Sequence, residues 1–304
     1  MRILKILAVG DFHGKFPEKL KNKIKEINPD FILCTGDYAE IDEFRPWLKK
    51  IFKAKKNASE LGIKEMMGAE RYGKLLKKDY AAGKEIIKRL NSLGIKAFSV
   101  FGNGDWYKLR SSRYKVKRDY GQFTRKLRYI KNIHRGRADF KGLRITGFGG
   151  YLDNDVYFSE KGRKAISDSA EQNKIRKERY KKEEKKFASL MKSKPSILLT
   201  HYTPYRCMDR LKTKGLALSG SSMGISYFNR GIKKYKPILA VCGHMHENSG
   251  MCRIGRTLVI NPGAASEGKA ALIELDEKKK KIKSVKFIKY SERHKSFPIY
   301  STTK

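Results

Sequence analysis

The stretch ILKILAVGDFHG, residues 3–14, reads as a mostly apolar strand that stops at a carboxylate and an imidazole. Side chains along a strand repeat every two residues, so Asp11 and His13 leave the backbone on one side at its carboxyl end. A first strand of this kind often runs into a glycine loop that cradles phosphate. Here a pair of metal-ligand types stands in that place. Asp-x-His alone is commonplace, so both the fold and the chemistry turn on whether other strands end in the same way.

Strand-like runs recur at 2–9, 31–35, 96–101, 143–148, 196–200, 238–242, 257–260 and 270–275. Most are continuously apolar, as strands buried on both faces must be. Between the first two, FPEKLKNKIKEINP puts Leu20, Ile24 and Ile27 on one face, with Pro17 suited to a first helical turn and Pro29 beyond the end. Residues 84–93 form a second helix carrying Ile86, Ile87, Leu90 and Leu93, closed by Gly94. Strands alternating with helices predict a layered α/β core. Three stretches look inserted: about 40–80, 106–140 and 155–194. The last opens a helix at a capping box of Ser169 and Gln172 and stops before Pro195. The reading is one domain over 1–290 with a basic C-terminal tail, 291–304.

With 70 Lys and Arg against 31 Asp and Glu, the chain carries a formal net charge of +39, which favours anionic partners such as nucleic acid. An AT-rich genome would produce the same lysine excess without a partner. The segment 161–194 is basic even by this standard, with 13 Lys and Arg against 5 Asp and Glu, and reads first as a solvated helical face. Cys34, Cys207, Cys242 and Cys252 show no C-x-x-C spacing and are expected as buried free thiols of a reducing compartment. No apolar run reaches the roughly 18 residues of a membrane span, and the short apolar start lacks a cleavage pattern. A cytoplasmic protein is expected.

The remaining strand ends repeat the theme of the first. TGDYAE, FGNGD, LLTHYTP and VCGHMHE deliver Asp37, Asn103, His201, His244 and His246 where apolar runs stop. In an open α/β sheet such ends line one crevice. Imidazoles, carboxylates and one amide oxygen suit Mn, Fe, Ni, Co or Zn ions rather than magnesium. They are too many for one ion, whereas a carboxylate shared by two ions would use them all, the arrangement suited to displacement at phosphorus. Gly10, Gly36, Gly102 and Gly243 precede the ligands where a side chain would crowd the site.

Taken in order, GDFHG, GDYAE, GNGD, THYTP and GHMHE resemble the signature of the calcineurin-like metallophosphoesterases, and NPGA at 261–264 is similar to a further family feature. The resemblance covers residues 3 to about 275. It implies a four-layer α/β/β/α sandwich of two mixed sheets with flanking helices. It also implies two divalent transition-metal ions, manganese first among them. By resemblance Asp11, His13 and His246 hold one ion, Asn103, His201 and His244 the other, and Asp37 bridges them. The implied chemistry is attack of a metal-bridging hydroxide on a phosphoester, with Asn103, Asp105 and His201 as catalytic residues.

One departure stands out. The family's third motif usually carries a histidine after Gly-Asn that serves the leaving oxygen, and this chain has Gly104 there. A lost general acid costs about 10² to 10⁴ in rate, least for acidic leaving groups. A phosphodiester or nucleotide substrate is therefore expected, with a nuclease or a catalytically weak scaffold as alternatives. His134 is a candidate replacement, and His294 in the tail is not. Tyr202, Tyr205 and Arg206 follow a ligand directly, and of these Tyr202 and Arg206 are the candidate substrate contacts.

Overall fold

The strand read first, β1 (Ile3–Val9), has apolar residues on both of its faces. Leu4, Ile6 and Ala8 point into one buried cluster, Leu7 and Val9 into another. The same alternation governs β2 (Phe31–Cys34) and β3 (Ala97–Ser99), which continue the sheet in parallel. The computed structural model describes residues 2–44, 46–47, 60–166 and 169–290. The tail 291–304 with His294, and part of the insertion expected at 40–80, lie outside them.

Among the described residues nine further strands follow: β4 (Ile130–Asn132), β5 (Gly136–Phe140), β6 (Leu143–Phe148), β7 (Ile197–Thr200), β8 (Leu239–Val241), β9 (Gly250–Ile254), β10 (Thr257–Asn261), β11 (Lys269–Asp276) and β12 (Lys281–Lys289). They complete two six-stranded sheets, ordered β12-β11-β1-β2-β3-β4 and β5-β6-β7-β8-β10-β9. Both are mixed: β1, β2, β3 and β4 run parallel in one and β6, β7, β8 and β10 in the other, with antiparallel strands at the flanks. The stretch 106–140, expected as an insertion, supplies β4 to the first sheet and β5 to the second.

The sheets pack face to face through Leu4, Ile6, Phe31, Leu33 and Phe98 on one side and Ile145, Ile197, Leu199, Val241 and Ile260 on the other. Among the described helices are α1 (Glu18–Ile27), α2 (Glu60–Met67), α3 (Ala69–Asn91), α4 (Leu109–Arg113), α5 (Tyr120–Thr124), α6 (Glu160–Ile166), α7 (Ala170–Met191) and α8 (Ser226–Tyr235). Leu20 and Ile24 of α1 and Ile86, Ile87 and Leu90 of α3 cover the outer face of the first sheet. Phe187 and Met191 of α7 and Phe228 and Ile232 of α8 cover the second. The four-layer α/β/β/α sandwich is the observed architecture.

The capping box of α7 is present, with Ser169 Oγ accepting from the Gln172 N–H at 3.2 Å and Gln172 Oε1 accepting from the Ser169 N–H at 2.9 Å. Pro17 stands one residue before α1 rather than inside its first turn. The helix expected at 84–93 is the last part of the 23-residue α3. Its buried stripe of Tyr72, Leu76, Asp79, Gly83, Ile86 and Leu90 holds an acid and a glycine, which hide the helical period.

One expectation is corrected. Cys207 and Cys252 form a disulfide across a separation of 45 residues, while Cys34 and Cys242 are free and buried. The packing of the loop after β7 against edge strand β9 brings the pair together, and no local spacing announces it. Four free thiols therefore no longer argue for a reducing compartment. Among the described residues, no helix is long and apolar enough to cross a membrane.

Candidate metal centre

The loops after β1, β2, β3, β7 and β8 meet at one end of the sandwich. Asp11, His13, Asp37 and His244 have φ of 56°, 46°, 52° and 68°, a left-handed conformation that costs side-chain-bearing residues free energy and persists only under constraint. The constraint is a set of hydrogen bonds between loops. The Asp11 N–H donates to the Gly36 carbonyl at 2.8 Å, and the Phe12 and His13 N–H groups donate to the Asp37 carbonyl at 2.8 and 3.0 Å. The Gly243 N–H donates to the His201 carbonyl at 2.8 Å. NPGA joins the same framework: Asn261 Nδ2 donates to the Met245 carbonyl at 2.9 Å, and the Ala265 N–H just beyond donates to the Gly10 carbonyl at 2.8 Å.

Among the described residues, ligand atoms of Asp11, His13 and His246 lie within 4.8 Å of one another, as do those of Asp37, His201 and His244. Asp37 also groups with His13 and Glu40. Asn103 joins through its Oδ1, 2.9 Å from His201 Nε2. All of the ligand-type residues read from the strand ends therefore converge.

The hydrogen-bond chemistry tests whether metal ions fit. His201 Nδ1 lies 2.9 Å from the Thr35 carbonyl and His13 Nδ1 lies 3.2 Å from the Glu40 carbonyl. A ring nitrogen facing a carbonyl carries the proton, which leaves Nε2 of the neutral ring as a lone pair. Yet His201 Nε2 faces the Asn103 oxygen and, at 3.3 Å, Asp37 Oδ2, while His13 Nε2 lies 3.0 Å from His246 Nε2. Acceptors facing acceptors need a proton or a cation between them. The donor set of imidazoles, carboxylates and an amide oxygen suits a divalent ion, so the residues fit a dinuclear divalent-metal site.

The electrostatics agree. Burial opposes charge on His201, but Asp37 and Asp11 beside it raise its pKa to about 9. Burial likewise works against an ionised Asp37, yet His201 and His13 hold its carboxyl well below the usual range. His244 is pushed down to about 3 by burial and by His201. Charge in this pocket is shared among close neighbours, the condition in which a cation replaces a proton.

Of the four glycines, Gly10 makes room for Thr35 and Gly36 for the backbone at 101–102, while Gly102 and Gly243 make room for carboxylates. A Cβ on Gly102 would lie 2.0 Å from Asp37 Oδ1, and one on Gly243 would lie 2.5 Å from Asp11 Oδ2. Asp105 sits beneath the centre: Oδ2 accepts from the Asp37 and Gly102 N–H groups at 2.9 and 2.8 Å, and Oδ1 from those of Tyr38 and Ala39 at 2.8 and 3.3 Å. It binds the second loop to the third. The Gly104 N–H donates to Asp37 Oδ1 at 2.9 Å, and the His244 N–H reaches the Asp11 carboxylate at 3.1 Å.

Tyr202 is buried, with its ring centroid 4.2 Å from that of His244, and so walls the centre. Arg206 is exposed and its guanidinium lies over the Tyr205 ring. His134 Nδ1 accepts from the Phe101 N–H at 3.3 Å, and its ring packs on Phe101 and Tyr107. Sequence reasoning missed Glu40, which ends GDYAE. Burial first and then Asp37 push its carboxyl up to about 7. The signal was present as one more acid in a ligand-bearing loop, but nothing in the sequence says where its side chain goes.

The sequence matches the family model described as metallophosphoesterase, calcineurin superfamily, over residues 1–285. No curated protein matches it. Among solved structures, one crystal structure is similar with a TM-score of 0.59 at 20% identity, over 95% of this chain and 100% of its own. The protein TT1561 of Thermus thermophilus gives 0.46 at 19% identity over 93% and 98% of the two chains. A dimetal phosphatase from Danio rerio gives 0.47 at 10% identity over 95% and 99%. With the family match running through every strand end that delivers a ligand-type side chain, the chain belongs to the calcineurin superfamily of metallophosphoesterases, metal-dependent hydrolases of phosphoesters.

Proposed function

We propose that this protein is a phosphodiesterase acting on a nucleotide or another diester. In this reading Asp11, His13 and His246 hold one ion, Asn103, His201 and His244 the other, and Asp37 is shared. Asp37 falls into groupings with residues of both sides, which supports its shared role. Mn²⁺ is the preferred occupant. When bound, such a pair neutralises phosphoryl charge and makes water acidic enough to be a nucleophile near neutral pH.

The chain's own residues prepare the site. The Thr35 and Glu40 carbonyls hold the His201 and His13 rings with Nε2 facing the centre, and Asp105 holds the loop that presents Asp37. Tyr202 closes one wall. The observation that carries the diester reading is Gly104, which leaves no imidazole to protonate a leaving oxygen. Such a site works best on leaving groups that depart without help.

Turnover of bis(p-nitrophenyl) phosphate, p-nitrophenyl phosphate and an alkyl phosphomonoester with added Mn²⁺ tests this. The aryl diester is expected to be cleaved fastest and the alkyl monoester slowest by about 10² or more. A monoester cleaved as fast as the diester would overturn the diester assignment. A nuclease is the second reading, favoured by the exposed Lys174, Lys177, Lys181, Lys182 and Lys185 of α7.

A further inference from the structure

Glu40 is held against Gly104, the position at which the resemblance places the family's histidine. Its backbone has φ of 67°, and Asp79 fixes it there: Oδ1 of that buried acid accepts from the Glu40 and Ile41 N–H groups at 2.7 and 2.9 Å. The other oxygen of Asp79 accepts from Trp106 Nε1 at 2.7 Å and lies 3.1 Å from the Arg110 guanidinium. Arg110 in turn donates to the Gly104 carbonyl. One buried acid thus clamps the Glu40 loop to the Gly104 loop.

The two residues share one space. A Cβ on residue 104 would lie 2.8 Å from Glu40 Cβ and 2.9 Å from Glu40 Oε2, closer than real Cβ contacts come. The bare glycine is what lets the Glu40 side chain in. Its carboxylate groups within 4.8 Å with ligand atoms of His13 and Asp37.

We propose that Glu40 is an additional metal-facing carboxylate, serving the His13 and Asp37 side of the centre in the space left open at Gly104. This rests on the dinuclear reading above. A further oxygen donor strengthens binding of divalent ions and biases that side toward oxygen-preferring metals such as Mn²⁺.

The test is calorimetric titration of the metal-free full chain with Mn²⁺, with bound ions counted by electron paramagnetic resonance and folding checked by circular dichroism. Wild type is expected to bind two ions. Glu40→Gln, which keeps the side chain's size, is expected to weaken one of them by about tenfold or more and leave the other within twofold. Gly104→Ala, which puts a methyl into the space of the Glu40 side chain, is expected to weaken the same ion. Wild-type affinities for both ions in folded Glu40→Gln would overturn the role of Glu40 while the dinuclear centre stands. Unchanged affinities in Gly104→Ala would overturn the shared space. Fewer than two ions on wild type would overturn the dinuclear reading and the Glu40 role with it.

Discussion

Gly104 is a single missing side chain with two separable consequences. On the proposed reading it removes an imidazole from the leaving-group side, and it leaves the space that the Glu40 side chain takes. Restoring the imidazole alone therefore differs from restoring the family pattern. Gly104 lies outside the left-handed region, so a histidine meets no backbone strain there. It meets Glu40 instead, 2.8 Å from the new Cβ. Gly104→His alone is expected to give no gain on poor leaving groups. Combined with Glu40→Gly, which clears the space and tolerates the φ of 67°, and assayed at saturating Mn²⁺, it is expected to raise turnover of alkyl esters by up to about 10². Turnover against leaving-group acidity checks this, and a full gain from the single variant would mean the space is free.

At the scale of elements, α3 does more than cover a sheet. It carries Asp79 fully buried in an otherwise apolar stripe, where burial pushes its carboxyl up and Arg110 opposes the shift. Removing the acid would take one ion-pair contact from the Arg110 guanidinium and leave two loop N–H groups without their acceptor. Breaking a buried pair from one side costs about 3–5 kcal/mol. Asp79→Ala is expected to lower stability by that order in urea unfolding and to weaken Mn²⁺ binding, since the Glu40 and Gly104 loops lose their clamp. A loss below about 1 kcal/mol with metal binding intact would show that the loops hold their positions without α3. The same acid explains why only the last part of α3 is legible in the sequence, because a buried carboxylate at a stripe position breaks the apolar period from which a helix is recognised.

At the scale of the molecule, the net charge of +39 is spread along the chain, and α7 presents one exposed run of it. Its Phe187 and Met191 pack on the second sheet while its lysines face solvent. A polyanion gripped there would release counterions, and its affinity would fall with salt at a slope of about 0.7 to 0.9 per phosphate neutralised. Single-stranded oligonucleotide binding is expected to show a steep slope, reduced by about two to three when Lys177, Lys181, Lys182 and Lys185 are changed together to Gln. Equal slopes in the two proteins would assign the charge to composition and remove the nuclease reading's main support.

The eight strands legible in the sequence are the interior of both sheets, where burial on two faces demands unbroken apolar runs. The four that were not, β4, β5, β9 and β12, are the four sheet edges. Edge strands face water along one side and carry lysine, arginine and glycine, as KIKSVKFIK does, so their composition resembles that of loops. The ligand-type residues were legible because each follows a strand, and parallel strands bring their ends to one crevice whatever lies between. Glu40 beside Gly104, the Asp79 clamp and the Cys207–Cys252 bond were not. Each joins segments distant in the chain through side chains, and only packing decides which loops meet. The sequence by itself determined the sandwich interior and the donor set. The tertiary structure decided what fills the space at Gly104, because a missing side chain leaves no trace of the neighbour that takes its place.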